Sequence, residues 1–234
     1  MPTAVITGGS RGLGAALAHA LDVRGWDLVL DARDAATLTE TVGDARSRVV
    51  PGDVTDPDHR RALVRTAAEL GGARLLVNNA STLGTSPMPE LVDLDESTLR
   101  RTLETNVVAP HALTRLLLPQ LSADRGIVLN LSSDAAVEPY EGWGAYGSSK
   151  AALDQLTRIL GVEQPGLRVY AVDPGDMRTQ MHQDAFPGED ISDRPEPATV
   201  VPHLLALLDG TLPSGRYRAA DIPVSGGVGA EVGG

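Results

Sequence analysis

Thr3-Ala4-Val5-Ile6-Thr7-Gly8-Gly9-Ser10-Arg11-Gly12-Leu13-Gly14 opens the chain. Thr3–Thr7 is a short apolar run that reads as a buried strand. From Gly12 to Arg24 the apolar residues Leu13, Leu17, Ala20 and Leu21 fall on one helical face. Between the two lies a glycine turn spaced G-x-x-x-G-x-G. Glycine lets the backbone turn sharply and come close to a pyrophosphate. The helix that follows presents free N–H groups and the positive end of its dipole to the anion. A strand, a phosphate-binding turn and a helix are therefore expected, with Gly8, Ser10, Arg11, Gly12, Leu13 and Gly14 forming the cradle.

The same unit repeats along the chain. Strands are expected at Asp27–Asp31, Arg48–Pro51, Arg74–Asn78, Gly126–Leu131, Leu167–Asp173 and Gly215–Ala219. Helices are expected at Ala35–Ala45, Asp58–Leu70, Glu96–Leu121, Trp143–Val162 and Thr199–Leu208. Strand–helix alternation implies right-handed crossovers and a parallel sheet. Continuously apolar strands mean that helices cover both faces. The expected fold is α/β, a single doubly wound domain over residues 1–234, its parallel sheet of about seven strands flanked by helices. Ligands of such sheets bind beyond the carboxyl ends of the strands.

The chain has 234 residues, of which 42% are hydrophobic but only 3% aromatic, so the core is built from Ala, Val, Leu and Ile. It has no cysteine, which excludes disulfides, thiolate metal sites and cysteine nucleophiles. No metal site is expected. The net charge of −11 repels nucleic acid and anionic lipid, so neither is an expected partner. No apolar run is long enough to cross a membrane, and a cytoplasmic location is expected.

One lysine, Lys150, stands among nineteen arginines. Lysine is a compact ammonium that can be set close beside another titrating group, whereas arginine is a broad planar fork. Tyr146 lies four residues earlier, on the same face of a helix. A cation there favours phenolate and brings the phenol toward use as a proton donor and acceptor near neutral pH.

The glycine turn, Asn78-Asn79-Ala80, Ser133, Tyr146-x-x-x-Lys150 and Pro174-Gly175 together resemble the short-chain dehydrogenase/reductase family over roughly residues 3 to 180. The resemblance implies a Rossmann-type domain and an NAD(P)(H)-dependent enzyme. It gives Ser133 the role of holding the substrate oxygen and Tyr146 that of giving or taking its proton. Lys150 would bind the nicotinamide ribose and lower the tyrosine pKa. Asn106 matches a helix asparagine that holds a water on the proton path. Asp53 and Val54 would frame the adenine, Asn79 and Ala80 would line the cofactor, and Pro174, Gly175, Met177 and Thr179 would approach the nicotinamide. Ser81 stands where the family usually has glycine. The position at which relatives carry an NAD-selecting carboxylate aligns with Ala32. Arg33 and Arg11 resemble a clamp for a 2′-phosphate, so NADP(H) is favoured over NAD(H), with Asp31 the dissenting residue.

Residues 180–197 correspond to the family's substrate lid, with Met181, His182 and Phe186 as pocket candidates. Val137, Tyr140 and Trp143 would form the opposite wall, facing an apolar or aromatic substrate. Arg216-Tyr217-Arg218 occupies the place of a hydrophobic strand, and residues 222–234 form a tail poor in apolar content, which places the usual tetramer in question. The apolar faces of Glu96–Leu121 and Trp143–Val162 still suggest a homodimer. The expected activity is NADPH-dependent reduction of a small-molecule ketone or aldehyde, or the reverse oxidation of a secondary alcohol. Alternatives are an NAD-linked alcohol dehydrogenase and a non-catalytic nucleotide-binding regulatory protein. An epimerase or dehydratase would usually need a longer substrate domain.

Overall fold

The computed structural model describes residues 1–33 and 47–224. Seven parallel strands form one sheet in the order β3-β2-β1-β4-β5-β6-β7. They are β1 Thr3–Ile6, β2 Asp27–Ala32, β3 Ser47–Pro51, β4 Ala73–Asn78, β5 Ile127–Leu131, β6 Arg168–Asp173 and β7 Gly215–Arg218. The order reverses direction between β1 and β4, which opens a crevice at their carboxyl ends. This is the doubly wound parallel sheet that the alternation implied and the Rossmann-type arrangement that the resemblance implied. The helix expected at Ala35–Ala45 lies outside the described residues.

Both faces of the sheet are covered, as side-chain alternation requires. Ala4, Ile6, Leu75, Val77, Leu129 and Leu131 point to one side. There they meet α1 (Gly12–Val23) through Leu13, Leu17 and Leu21, and α7 (Val201–Asp209) through Leu204 and Leu207. Val5, Val29, Leu76 and Val128 point to the other side. They pack on α2 (Pro57–Glu69) through Leu63 and on Leu113, Leu117 and Leu121. Each such leucine, fully buried, contributes roughly 1.5–3 kcal/mol.

The long helix expected at Glu96–Leu121 is not continuous. It divides into α3 (Glu96–Leu103), one π-helical turn (Glu104–Val108) and α4 (Ala109–Ala123). In the π turn the Ala109 N–H reaches back five residues to the Glu104 carbonyl. Such turns re-aim side chains within a helix, and this one carries Asn106. Its periodicity resembles that of an α-helix too closely to be told apart over five residues. α3 starts on Asp95, whose carboxylate accepts from the Thr98 N–H at 2.8 Å. α5 (Gly144–Glu163) carries Tyr146 and Lys150. The segment read as a polar lid contains a short helix, α6 (Gln180–Ala185), capped by the Thr179 hydroxyl. Among the described residues no helix is long and apolar enough to cross a membrane.

Candidate active site

A cavity of about 1350 Å³ opens at the carboxyl ends of the strands. At one end is the glycine turn. Gly8 and Gly12 have φ of +65° and +57°, the left-handed region where a side chain is strained. Gly8, Ser10, Arg11, Gly12 and Leu13 all face the cavity. Arg11, which precedes α1, makes no side-chain cap to its first turn, as suits a helix start that receives an anion. Gly14 lies behind the turn. A Cβ at this position would sit 2.4 Å from the Gly8 carbonyl oxygen and 2.5 Å from Asn79 Nδ2, so this glycine allows α1 to close on the turn. The uncapped helix start and the glycine turn fit a dinucleotide pyrophosphate.

Asp31, Arg33, Asp53 and Val54 line the same end. Asp31 is 2% exposed, and both of its oxygens are engaged. Oδ1 accepts from the Gly8 N–H at 2.7 Å, and Oδ2 meets His59 Nε2 at 3.1 Å. Its carboxylate braces the phosphate turn. Arg11 and Arg33 are exposed at the rim. Asp53 is held below the usual carboxylate range, chiefly by the Thr55 N–H, with a smaller pull from Arg33.

Asn79 and Ala80 reach the cavity. The Asn79 side chain donates to the carbonyls of Thr7 and Gly8, both at 2.9 Å, tying β4 to the glycine turn. Asn78 is buried and donates to Asn130 Oδ1 at 2.7 Å, in keeping with a structural residue at a strand end. Pro174, Gly175, Met177 and Thr179 line the cavity beyond β6.

Ser133, Tyr146 and Lys150 converge on the middle of the cavity. Lys150 is 3% exposed and donates from Nζ to the Leu131 carbonyl at 2.7 Å. Burial brings its pKa down to about 8, while Asp154 one turn further along α5 pulls it up. Its Nζ lies 5.4 Å from the centre of the Tyr146 ring. The i, i+4 spacing led to the expectation that this ammonium lowers the phenol. The structure has a different balance. Burial pushes Tyr146 well above its ordinary value, and the Ser133 and Ser81 hydroxyls that hydrogen-bond it pull downward. Asp134 and Asp173 add to the rise. The phenol is therefore a protonated donor across the neutral range.

Asn106 stands one layer behind the cavity wall and is 1% exposed. Its Nδ2 donates to the Thr82 carbonyl and to Ser149 Oγ, both at 2.9 Å. Its Oδ1 accepts from the Thr82 N–H at 2.9 Å and from Ser81 Oγ at 3.2 Å. The side chain ties the loop after β4 to α5, next to Tyr146. Ser81 and Ser149 were not singled out from the sequence as site residues. Ser81 was noted only as a departure from glycine, and Ser149 carries no local signal.

Trp143 lines the cavity beside Tyr146, while the expected pocket residues Phe186, Tyr140 and Val137 are not among its lining residues. The Trp143 ring meets Tyr146 edge-on at 5.5 Å and Phe186 at 5.9 Å between centroids. Tyr140 lies 6.0 Å from Trp143. Met181 and His182 face the cavity from α6, and Leu83, Met88 and Ala185 pack around Tyr146 and Trp143. Val137 is exposed.

The profile of the short chain dehydrogenase family matches residues 2–190. Serine 3-dehydrogenase of Agrobacterium fabrum is 34% identical over 184 residues, covering 76% of this chain and 73% of that protein. Sepiapterin reductase of Xenopus tropicalis is 34% identical over 195 residues, covering 76% and 75%. A short-chain dehydrogenase of Streptomyces avermitilis superposes with a TM-score of 0.82 at 29% identity, covering 94% of this chain and 90% of that one. A protein of Shigella flexneri described as a short-chain dehydrogenase, solved with NADP, superposes at 0.86 with 25% identity, covering 94% and 97%. The chain belongs to the short-chain dehydrogenase/reductase family. It is an oxidoreductase acting on alcohol or carbonyl groups.

Proposed function

We propose that this enzyme reduces an apolar or aromatic ketone or aldehyde with NADPH. The observation that carries the reading is the convergence of Ser133, Tyr146 and Lys150 on one cavity whose far end is a phosphate cradle. A reduced nicotinamide, when bound, supplies the hydride of this chemistry. The chain's own residues do the rest. The Ser133 and Tyr146 hydroxyls approach the carbonyl oxygen from one side and stabilise the charge that grows on it. Tyr146 then releases its proton to that oxygen. Lys150 stands beside the Tyr146 ring, and Trp143 packs edge-on against it.

The preference for NADPH rests on Arg11 and Arg33 at the rim and on the engagement of Asp31 elsewhere. A carboxylate already held by Gly8 and His59 is a poor partner for a ribose 2′-hydroxyl. The Shigella flexneri relative solved with NADP agrees with this. Val108, Ile159 and Val162 leave exposed apolar surface on the π turn and α5, which supports a homodimer through these helices. Residues 180–197 would act as the substrate lid.

The test is a panel of aryl and alkyl ketones and aldehydes with NADPH and NADH, followed at the absorbance of the reduced nicotinamide. NADPH consumption with at least one apolar ketone is expected. Tyr146→Phe should lose at least about a hundredfold in kcat while still binding NADPH. Turnover unchanged by that substitution would reject the assignment.

A further inference from the structure

Arg216 lies on β7, where the sequence departs from a hydrophobic strand. Its guanidinium does not point to solvent. Nε donates to Asp154 Oδ2 at 2.8 Å and Nη2 to the Ser133 carbonyl at 3.0 Å. Nη2 also lies 3.6 Å from Asp173 Oδ2. The two carboxylate side chains are 3% and 4% exposed, and that of Arg216 is 16% exposed. Asp154 Oδ1 is buried without another hydrogen-bond partner, so Arg216 is the main compensation for this charge. Asp154 follows Lys150 by one helical turn, and Asp173 leads into Pro174-Gly175.

We propose that Arg216 is a positioning residue of the catalytic centre: its planar fork fixes the backbone of Ser133 and neutralises Asp154 behind Lys150. This rests on the assignment of Ser133, Tyr146 and Lys150 given above. The geometry needs a fork. One nitrogen serves α5, and another serves the loop after β5 and the end of β6. A lysine offers a single point charge and cannot hold both directions. The charged groups around it are Asp154 on α5, Asp173 at the end of β6, Asp134 after Ser133 and Arg218 on β7. Arg216 balances the two buried carboxylates among them. Without it, the field of Asp154 would fall on Lys150, and Ser133 would lose an anchor on its carbonyl.

Two measurements test this, one of them independent of substrate and cofactor. Lys150 is the only lysine, so isotope-labelled lysine yields a single side-chain resonance whose titration belongs to that residue. The parent protein should titrate at about 8. Arg216→Met should raise the midpoint, and adding Asp154→Leu should lower it below that of Arg216→Met. The double substitution removes the hydrogen-bonded Arg216–Asp154 pair together and leaves only the longer Asp173 contact unpaired, so it is expected to fold even where the single one does not. In that double variant kcat for a probe ketone accepted by the parent should fall about tenfold to a hundredfold, while the NADPH Kd stays within about twofold. Arg216→Lys should rescue stability but not kcat.

Equal midpoints in all three proteins would overturn the inference whatever the turnover. So would a folded double variant with the kcat of the parent. A parent that reduces no ketone yet shows the stated order of midpoints would reject the reductase assignment and support the charge network.

Discussion

Lys150→Met tests the cost of the buried ammonium directly. The folded protein binds the Lys150 proton more weakly than the unfolded chain does, with a pKa of about 8 against 10.5. Above the unfolded value both states are neutral and the lysine carries no charge penalty. As pH falls through the interval between 10.5 and about 8, the unfolded state takes up the proton first, and folding stability declines. Below the folded value the penalty is complete, at about 3 kcal/mol for this difference in pKa. Methionine has nearly the same shape and no charge. It should therefore match or exceed the parent in stability at about pH 7, while its turnover is abolished. The assay is urea unfolding of both proteins from about pH 7 to about pH 10. The stability of the parent relative to Lys150→Met should rise by about 2.5 kcal/mol across this range. Taking the difference removes the tyrosines, whose raised values act on stability in the opposite sense above their ordinary range. A difference that stays flat with pH would refute the reasoning, because the ammonium would then carry no burial cost.

Further tests follow from the same geometry. Gly14→Ala places a methyl 2.4 Å from the Gly8 carbonyl, so the phosphate turn must shift. A stability loss of about 1–3 kcal/mol by thermal unfolding, with weaker NADPH binding, is expected. Arg33→Ala should raise the NADPH KM about tenfold or more and leave NADH little changed, as steady-state kinetics with both cofactors would reveal. Trp143→Ala removes the edge-on contact with Tyr146 and should raise KM about threefold to tenfold for aryl ketones, with a smaller effect for short alkyl ones.

Much of this protein was legible in short stretches of sequence. The strand, glycine turn and helix of residues 3–24 follow from local periodicity and from the backbone freedom of glycine. The remaining alternation gave the parallel sheet, because both of its periods are written within a few residues. The helical spacing of Tyr146 and Lys150 also placed them on one helix facing one cavity. Spacing did not decide their electrostatics. A pKa depends on what surrounds a group in three dimensions: burial outweighs the Ser133 and Ser81 hydrogen bonds at Tyr146 and the Asp154 charge at Lys150. The π turn at Asn106 was likewise hidden, since one extra residue in a helix barely alters its periodicity.

The partners were decided only by tertiary structure. Asp31 could have been read as a ribose ligand until the fold brought His59 and the Gly8 N–H to its two oxygens. Arg216 looked like a misplaced charge until β7 laid it against Asp154, sixty-two residues away, and Ser133, eighty-three away. A sequence carries its helix and strand signals in contiguous residues, so those survive reading in one dimension. Hydrogen bonds and buried charge pairs join residues that only chain folding makes neighbours, and a low-dielectric interior then gives them their strength.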